Sequence, residues 1–124
     1  MFLLEKTGAN SIFIFRIKNL GRGQAFDINV VVFDEQLTMY HAIPIDLIPS
    51  LESDHIPGEF WRYPDKDYTD IYKLKNENEW LLFHITYRNE FGRKRQTYYH
   101  AELIPSWYTK ITKSKFNKYK KKNR

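Results

Sequence analysis

LLFHITYRNEFGRKRQTYYHAEL, residues 81–103, reads as two long β-strands joined by a tight turn. The first arm, Trp80–Arg88, is dense in aromatic and β-branched residues, which suit a pleated surface. Leu81, Phe83, Ile85 and Tyr87 fall on one face, and Trp80, Leu82, His84, Thr86 and Arg88 on the other. The second arm, Arg93–Ile104, alternates in the same way. Thr97, Tyr99, Ala101 and Leu103 share one side, and Lys94, Gln96, Tyr98, His100 and Glu102 the other. Between the arms, Asn89-Glu-Phe-Gly92 suits a type I turn closed by a left-handed residue, a role open to Gly92. This register sets Asn89 opposite Arg93, Phe83 opposite Tyr99, Ile85 opposite Thr97 and Leu81 opposite Ala101. The apolar faces then coincide, and a slip of one residue would bring polar side chains to the core face.

Outward from the hairpin, further strands are expected at Ser11–Lys18 and at Gln24–Asp34. In the second of these Phe26, Ile28, Val30 and Val32 face inward and Asp27 and Asn29 face water. Val31 and Phe33 make its far end apolar on both sides, as for a strand covered on both faces. Asn19-Leu-Gly-Arg-Gly23 is a turn. Weaker strands are expected at Gln36–Ile43, Leu51–Ile56 and Gly58–Tyr63, with Pro44, Pro49 and Pro57 breaking the pattern between them. Asp65–Asn78 reads as a long polar loop with a helical turn around Tyr68–Leu74. Six to eight short strands without alternating long helices predict an all-β sandwich or barrel.

The chain has 124 residues, the length of one domain, with nine Phe, nine Tyr, three Trp and no cysteine. A disulfide framework and a thiolate zinc site are excluded. No apolar run approaches the ~20 residues that span a bilayer, so a soluble, cytoplasmic chain is expected, membrane-associated only if it is a domain cut from a larger protein. The net charge of +5 is unevenly placed. Residues 1–105 hold twelve Lys and Arg against fifteen Asp and Glu, while residues 106–124 hold eight basic residues and no acid. The expected division is a sandwich over 1–105 and a basic, flexible tail over 106–124.

Ile17–Glu35, IKNLGRGQAFDINVVVFDE, together with Tyr87-Arg-Asn-Glu-Phe-Gly92, resembles the bacterial immunoglobulin-like sandwiches of the cell-adhesion-related (CARDB-like) kind. The shared pattern is a strand, Asn-x-Gly-x-Gly-x-Ala, a second strand, a Pro-containing middle, and a closing hairpin. It covers roughly residues 2–104. The resemblance implies an immunoglobulin-like antiparallel β-sandwich of about seven strands, and no activity. Domains of this kind often follow membrane segments.

Catalytic patterns are missing. The serines lie in no Gly-x-Ser-x-Gly elbow, and Gly21-Arg-Gly23 is followed by no Lys-Ser/Thr or helix start. His84 and His100 are diagonal neighbours on the hairpin, and Glu102 lies beside them, but the spacing matches no metal signature. A polar outer sheet face is the expected setting for them. Asp65-Lys-Asp-Tyr-Thr-Asp70 has no Gly to turn a calcium loop and reads as solvated. No cofactor, metal or catalytic residue is therefore expected.

The tail is the one functional candidate. Lys110, Lys113, Lys115, Lys118, Lys120, Lys121, Lys122 and Arg124 interleave with Trp107, Phe116 and Tyr119. Single-stranded nucleic acid is bound by that combination, charge for phosphates and rings for bases. An anionic membrane surface attracts it as well. The bland alternatives are a solubilising tail, or a last strand formed around Trp107 and Tyr108. The expected function is a non-catalytic interaction module that binds a protein partner through an edge strand or loops. The alternative is a nucleic-acid-associated protein acting through the tail.

Overall fold

The computed structural model of the chain describes residues 2–7, 14–42, 44–50, 52–55, 59–62, 67–103 and 106–122. These residues form two antiparallel sheets and two helices. The smaller sheet has the order β1 (Phe2–Thr7), β2 (Ile14–Asn19), β6 (Ser53–His55). The larger has the order β11 (Ser106–Ile111), β10 (Lys94–Leu103), β9 (Trp80–Arg88), β3 (Ala25–Phe33), β4 (Met39–Ala42), β7 (Glu59–Arg62), β8 (Asp67–Asp70). Strand β5 (Ile45–Ile48) pairs with the near end of β3. Helices α1 (Ile71–Glu77) and α2 (Lys113–Lys122) complete the fold.

The hairpin has the expected register. Phe83 lies opposite Tyr99, Ile85 opposite Thr97 and Leu81 opposite Ala101. Asn89 organises the turn. Its backbone N–H donates to the Arg93 carbonyl, and its carboxamide oxygen accepts from Phe91 and Arg93 N–H, both at 3.0 Å. Gly92 sits at φ +76, where a Cβ is disfavoured.

The inner layer explains the sandwich. Ile17 of β2 is buried in one apolar cluster with Ile28, Val30 and Val32 of β3, Leu81, Phe83 and Ile85 of β9, and Tyr99 of β10. The small sheet therefore packs on the large one, and an all-β sandwich is the observed class. The pairings β1–β2–β6 and β10–β9–β3 are those of strands A-B-E and G-F-C in an immunoglobulin fold. With β4 they make the seven expected strands. Strands β5, β7, β8 and β11 are additions, so the described residues hold eleven strands rather than about seven.

The Asn-x-Gly-x-Gly turn joins the two layers. Asn19 is 2% exposed; its amide NH₂ donates to the Gly23 and Ile48 carbonyls, and its oxygen accepts from the Gly21 N–H. A carboxamide is needed because the site requires a donor and an acceptor at once. Asp34 does similar work after β3, accepting from Gln36 and Thr38 N–H and from the Tyr40 hydroxyl.

Two regions differ from the expectation. The described part of the polar loop over 65–78 is strand β8 followed by α1, so helix is present near the expected turn, but it starts at Ile71 and runs to Glu77, and a strand precedes it. Asp70 caps the helix by accepting from the Lys73 N–H at 2.7 Å, and Ile71 and Leu74 reach the inner core. The described part of the tail, residues 106–122, also has regular structure where a loose segment is expected. Residues 106–111 add a strand to β10, and residues 113–122 are helical, with Phe116 buried at 4% exposure. The physical reason is the second face of the sheet, which carries too many apolar groups to be left wet.

Candidate functional site: the outer face and its basic helix

Each strand of the large sheet gives every second residue to the outer face. One row crosses the whole sheet in register: Ile111, Tyr98, His84, Val31, His41, Trp61, Tyr68. Helix α2 covers the half of this face that belongs to β11, β10, β9 and β3. Phe33, Leu82, Tyr98, Ile111 and Phe116 form a buried cluster there, with Val31, Met39, Trp80 and Tyr119 packed against it.

Phe116 and Tyr119 fasten the helix. They are three residues apart and so share one helical side. The Phe116 ring meets Phe33 edge-on at 5.5 Å and lies 4.8 Å from Tyr98. Tyr119 stacks on His100 at 4.5 Å with an interplanar angle of 11°. His84 stacks on Tyr98 at 4.5 Å and 8°, and its Nε2 lies 3.1 Å from the Gln96 amide oxygen. Thr112 caps the helix, its hydroxyl accepting from the Lys115 N–H. His84 and His100 thus form part of the floor under α2. They are on the outer face as expected, but it is covered by α2 there rather than open and polar.

Burial disfavours the charged form of both imidazoles and pushes them below the ordinary histidine range. For His84, the Gln96 hydrogen bond opposes the shift, while Lys120 and Lys113 reinforce it. For His100, Glu102 opposes it and Lys115 reinforces it. Each ring is engaged with its own aromatic neighbours. Among the described residues no three His, Asp or Glu side chains come together as a metal site.

The cations are presented outward. Lys113, Lys115, Lys118 and Lys121 are exposed, as is Lys110 on β11. Lys120 is half-buried, its Nζ 4.9 Å from the centre of the Phe33 ring, a cation–π contact that ties charge to the same apolar floor. Trp107 lies on β11 opposite Glu102, Lys122 ends α2, and Arg124 falls outside the described residues. The structure therefore separates the two ingredients of the tail. Lys110, Lys113, Lys115, Lys118 and Lys121 face solvent, whereas Phe116 is spent on docking and Tyr119 lies half-buried on His100. Base stacking by Phe116 is closed off.

Of the floor residues, His100 is singled out in the sequence beside His84, whereas Trp80, Leu82 and Tyr98 were not legible as part of a site. The available signal was a local one, Trp80, Leu82 and Tyr98 at one end of an otherwise polar even-numbered face. No helix among the described residues is long and apolar enough to cross a membrane. No family model, curated protein or solved structure matches the chain.

Proposed function

We propose that the chain is a non-catalytic interaction module that engages an anionic partner through the outward side of α2. One observation carries this reading: α2 has six lysines and no acid in ten residues, and it is held on the sheet by buried Phe116. A folded helix presents those charges as a fixed surface, which loses less entropy on binding than a loose tail would. The first partner class is a protein with an acidic surface. The cysteine-free composition suits a reducing, cytosol-like compartment.

Nucleic acid is the second reading, favoured by the absence of any carboxylate on the helix. With the Phe116 ring buried, contact would be to phosphates and hence steeply salt-dependent. Three phosphate contacts predict a fall of roughly 20- to 40-fold in affinity between about 50 and 200 mM salt. The test is anisotropy of labelled oligonucleotides with the intact chain and with Lys115→Glu/Lys118→Glu/Lys121→Glu. Salt-sensitive binding lost in the variant supports the nucleic-acid reading. Lack of oligonucleotide binding, with retained salt-sensitive binding to a polyglutamate column, returns the partner to an acidic protein. If the variant matches the parent on both probes, α2 is not the binding surface.

A further inference from the structure

The outer face continues beyond α2 into an open trough of about 790 Å³ at the tip of the hairpin. Its floor is a polar row in register across three strands, Asn29 of β3, Thr86 of β9 and Gln96 of β10. Adjacent strands lie about 4.8 Å apart, so this row spans roughly 10 Å. Two residues further along, about 7 Å away, Arg88 and Lys94 face each other, and Arg95 lines the same end. Asp27 is the single acid of the lining.

We infer that this trough binds a phosphorylated sugar. Arg88 and Lys94 against Asp27, with Arg95 of the opposite face at the rim, leave a surplus of positive charge suited to a phosphate. Arg88 is held by Asp27, its Nε 3.6 Å from a carboxylate oxygen. Both groups are well exposed, so the pair orients the guanidinium more than it stabilises the fold. The remaining guanidinium donors stay available to an anion. The polar row suits hydroxyl groups, because carboxamides and a hydroxyl together offer both donors and acceptors. Gln96 is already oriented by its oxygen's contact with His84 Nε2, which leaves its NH₂ group to donate. Backbone geometry points to the same place. The pairing of β3 with β9 shifts register between Phe26 and Asn29, and Asp27 there has φ +50. A bulge of this kind re-aims side chains and is a recurrent device beside binding sites.

The phosphorylated sugar has two sources, a free nucleotide or the backbone of a single strand. The second source rests on the nucleic-acid reading above, and the first does not. The test is an amide chemical-shift titration of the isotope-labelled intact chain with a nucleoside 5′-monophosphate, the unphosphorylated nucleoside, inorganic phosphate and a ten-nucleotide single strand. Expected are shifts at Asn29, Thr86, Arg88 and Gln96 with the monophosphate or the single strand. Binding should weaken about tenfold in Lys94→Gln/Arg95→Gln and be unchanged in Lys118→Gln/Lys121→Gln. Arg88 is left intact because of its pair with Asp27, and each variant's amide spectrum verifies its fold. Equal affinity for monophosphate and strand assigns a free ligand, and tighter binding of the strand assigns the polymer; both support the trough. Shifts confined to α2 would overturn the trough while sustaining the nucleic-acid reading. Equal shifts from inorganic phosphate, or from the bare nucleoside, would overturn the phosphorylated sugar. No shifts with any probe at about 50 mM salt would overturn both.

Discussion

Single residues at the turns carry much of the specification. Asn19 makes three hydrogen bonds from a nearly sealed position. Asn19→Ala would leave the Gly23 and Ile48 carbonyls and the Gly21 N–H without that partner. The expected loss is about 2–3 kcal/mol, measured as a shift of the urea midpoint. A shift equivalent to less than about 0.5 kcal/mol would mean that water replaces the side chain at no cost. Gly92 isolates a different effect. A Cβ there meets nothing within 4 Å, so only its φ of +76 resists substitution. Gly92→Val should therefore destabilise by about 1–2 kcal/mol through backbone strain alone, and Gly92→Asn should recover most of that loss. Equal melting temperatures for Val and Asn variants would contradict the strain argument. Both positions were legible, since a turn that needs φ > 0 or a paired donor and acceptor admits few residue types.

At the scale of elements, α2 depends on its docking. A ten-residue helix is shorter than the ~12–15 residues that hold together alone in water, and its lysines repel one another three and four positions apart. Phe116→Ala should cost about 3 kcal/mol of docking energy, seen as faster hydrogen exchange of α2 amides with β9 amides little changed. The histidines beneath make the same contact pH-dependent. The folded state holds His84 and His100 below the ordinary value, so the unfolded chain takes up protons first as pH falls. Their contribution is complete above about pH 6.5 and is lost as pH falls through that value towards the lower folded-state values. Lys113, Lys115 and Lys120 oppose protonation, while Glu102 favours it at His100. The melting temperature should fall from pH 7.5 to 5.5, and clearly less in His84→Phe/His100→Phe, which keeps the ring stacks. An equal fall in that variant would assign the effect to other groups.

The same helix shows where sequence reasoning stops. Hairpin β9–β10 was readable because its partner strands are adjacent in the chain and period-2 alternation fixes their faces. Two aromatics among lysines carry no such signal. The helicity of α2 comes from a floor assembled by β3, β9, β10 and β11, and no local window contains it. Strands β1, β5 and β8 were missed for a related reason. Strands β5 and β8 have only four residues each, and β1 and β8 lie at sheet margins, so pairing partners rather than composition decide them. The trough was invisible for the same cause, since Asn29, Thr86 and Gln96 meet only through two separate registers.

For the molecule as a whole, the central strands belong to both cores at once. On β9, Leu81, Phe83 and Ile85 enter the inner cluster while Leu82 enters the outer one; on β3, Val30 and Val32 face inward and Phe33 outward. The strand residues of the two clusters share one backbone and should therefore melt as one cooperative unit, while α2 can undock from the outer cluster locally. The margins are different. Strand β8 is hydrogen-bonded to the body only by way of β7 and β4 among the described residues, and its Tyr68 is exposed, whereas β7 is anchored by Phe60 in the inner cluster. Amide exchange should accordingly fall into three tiers. Amides of β3 and β9 should open only with global unfolding and track the denaturant-measured stability. Those of α2 should open earlier, and those of β8 earliest. Phe83→Ala should lower the first tier and the global stability together, by about 3–5 kcal/mol. If β3 and β9 kept their protection in that variant while β10 and β11 lost theirs, the two clusters would be separate folding units, and the shared-strand account of cooperativity would fail.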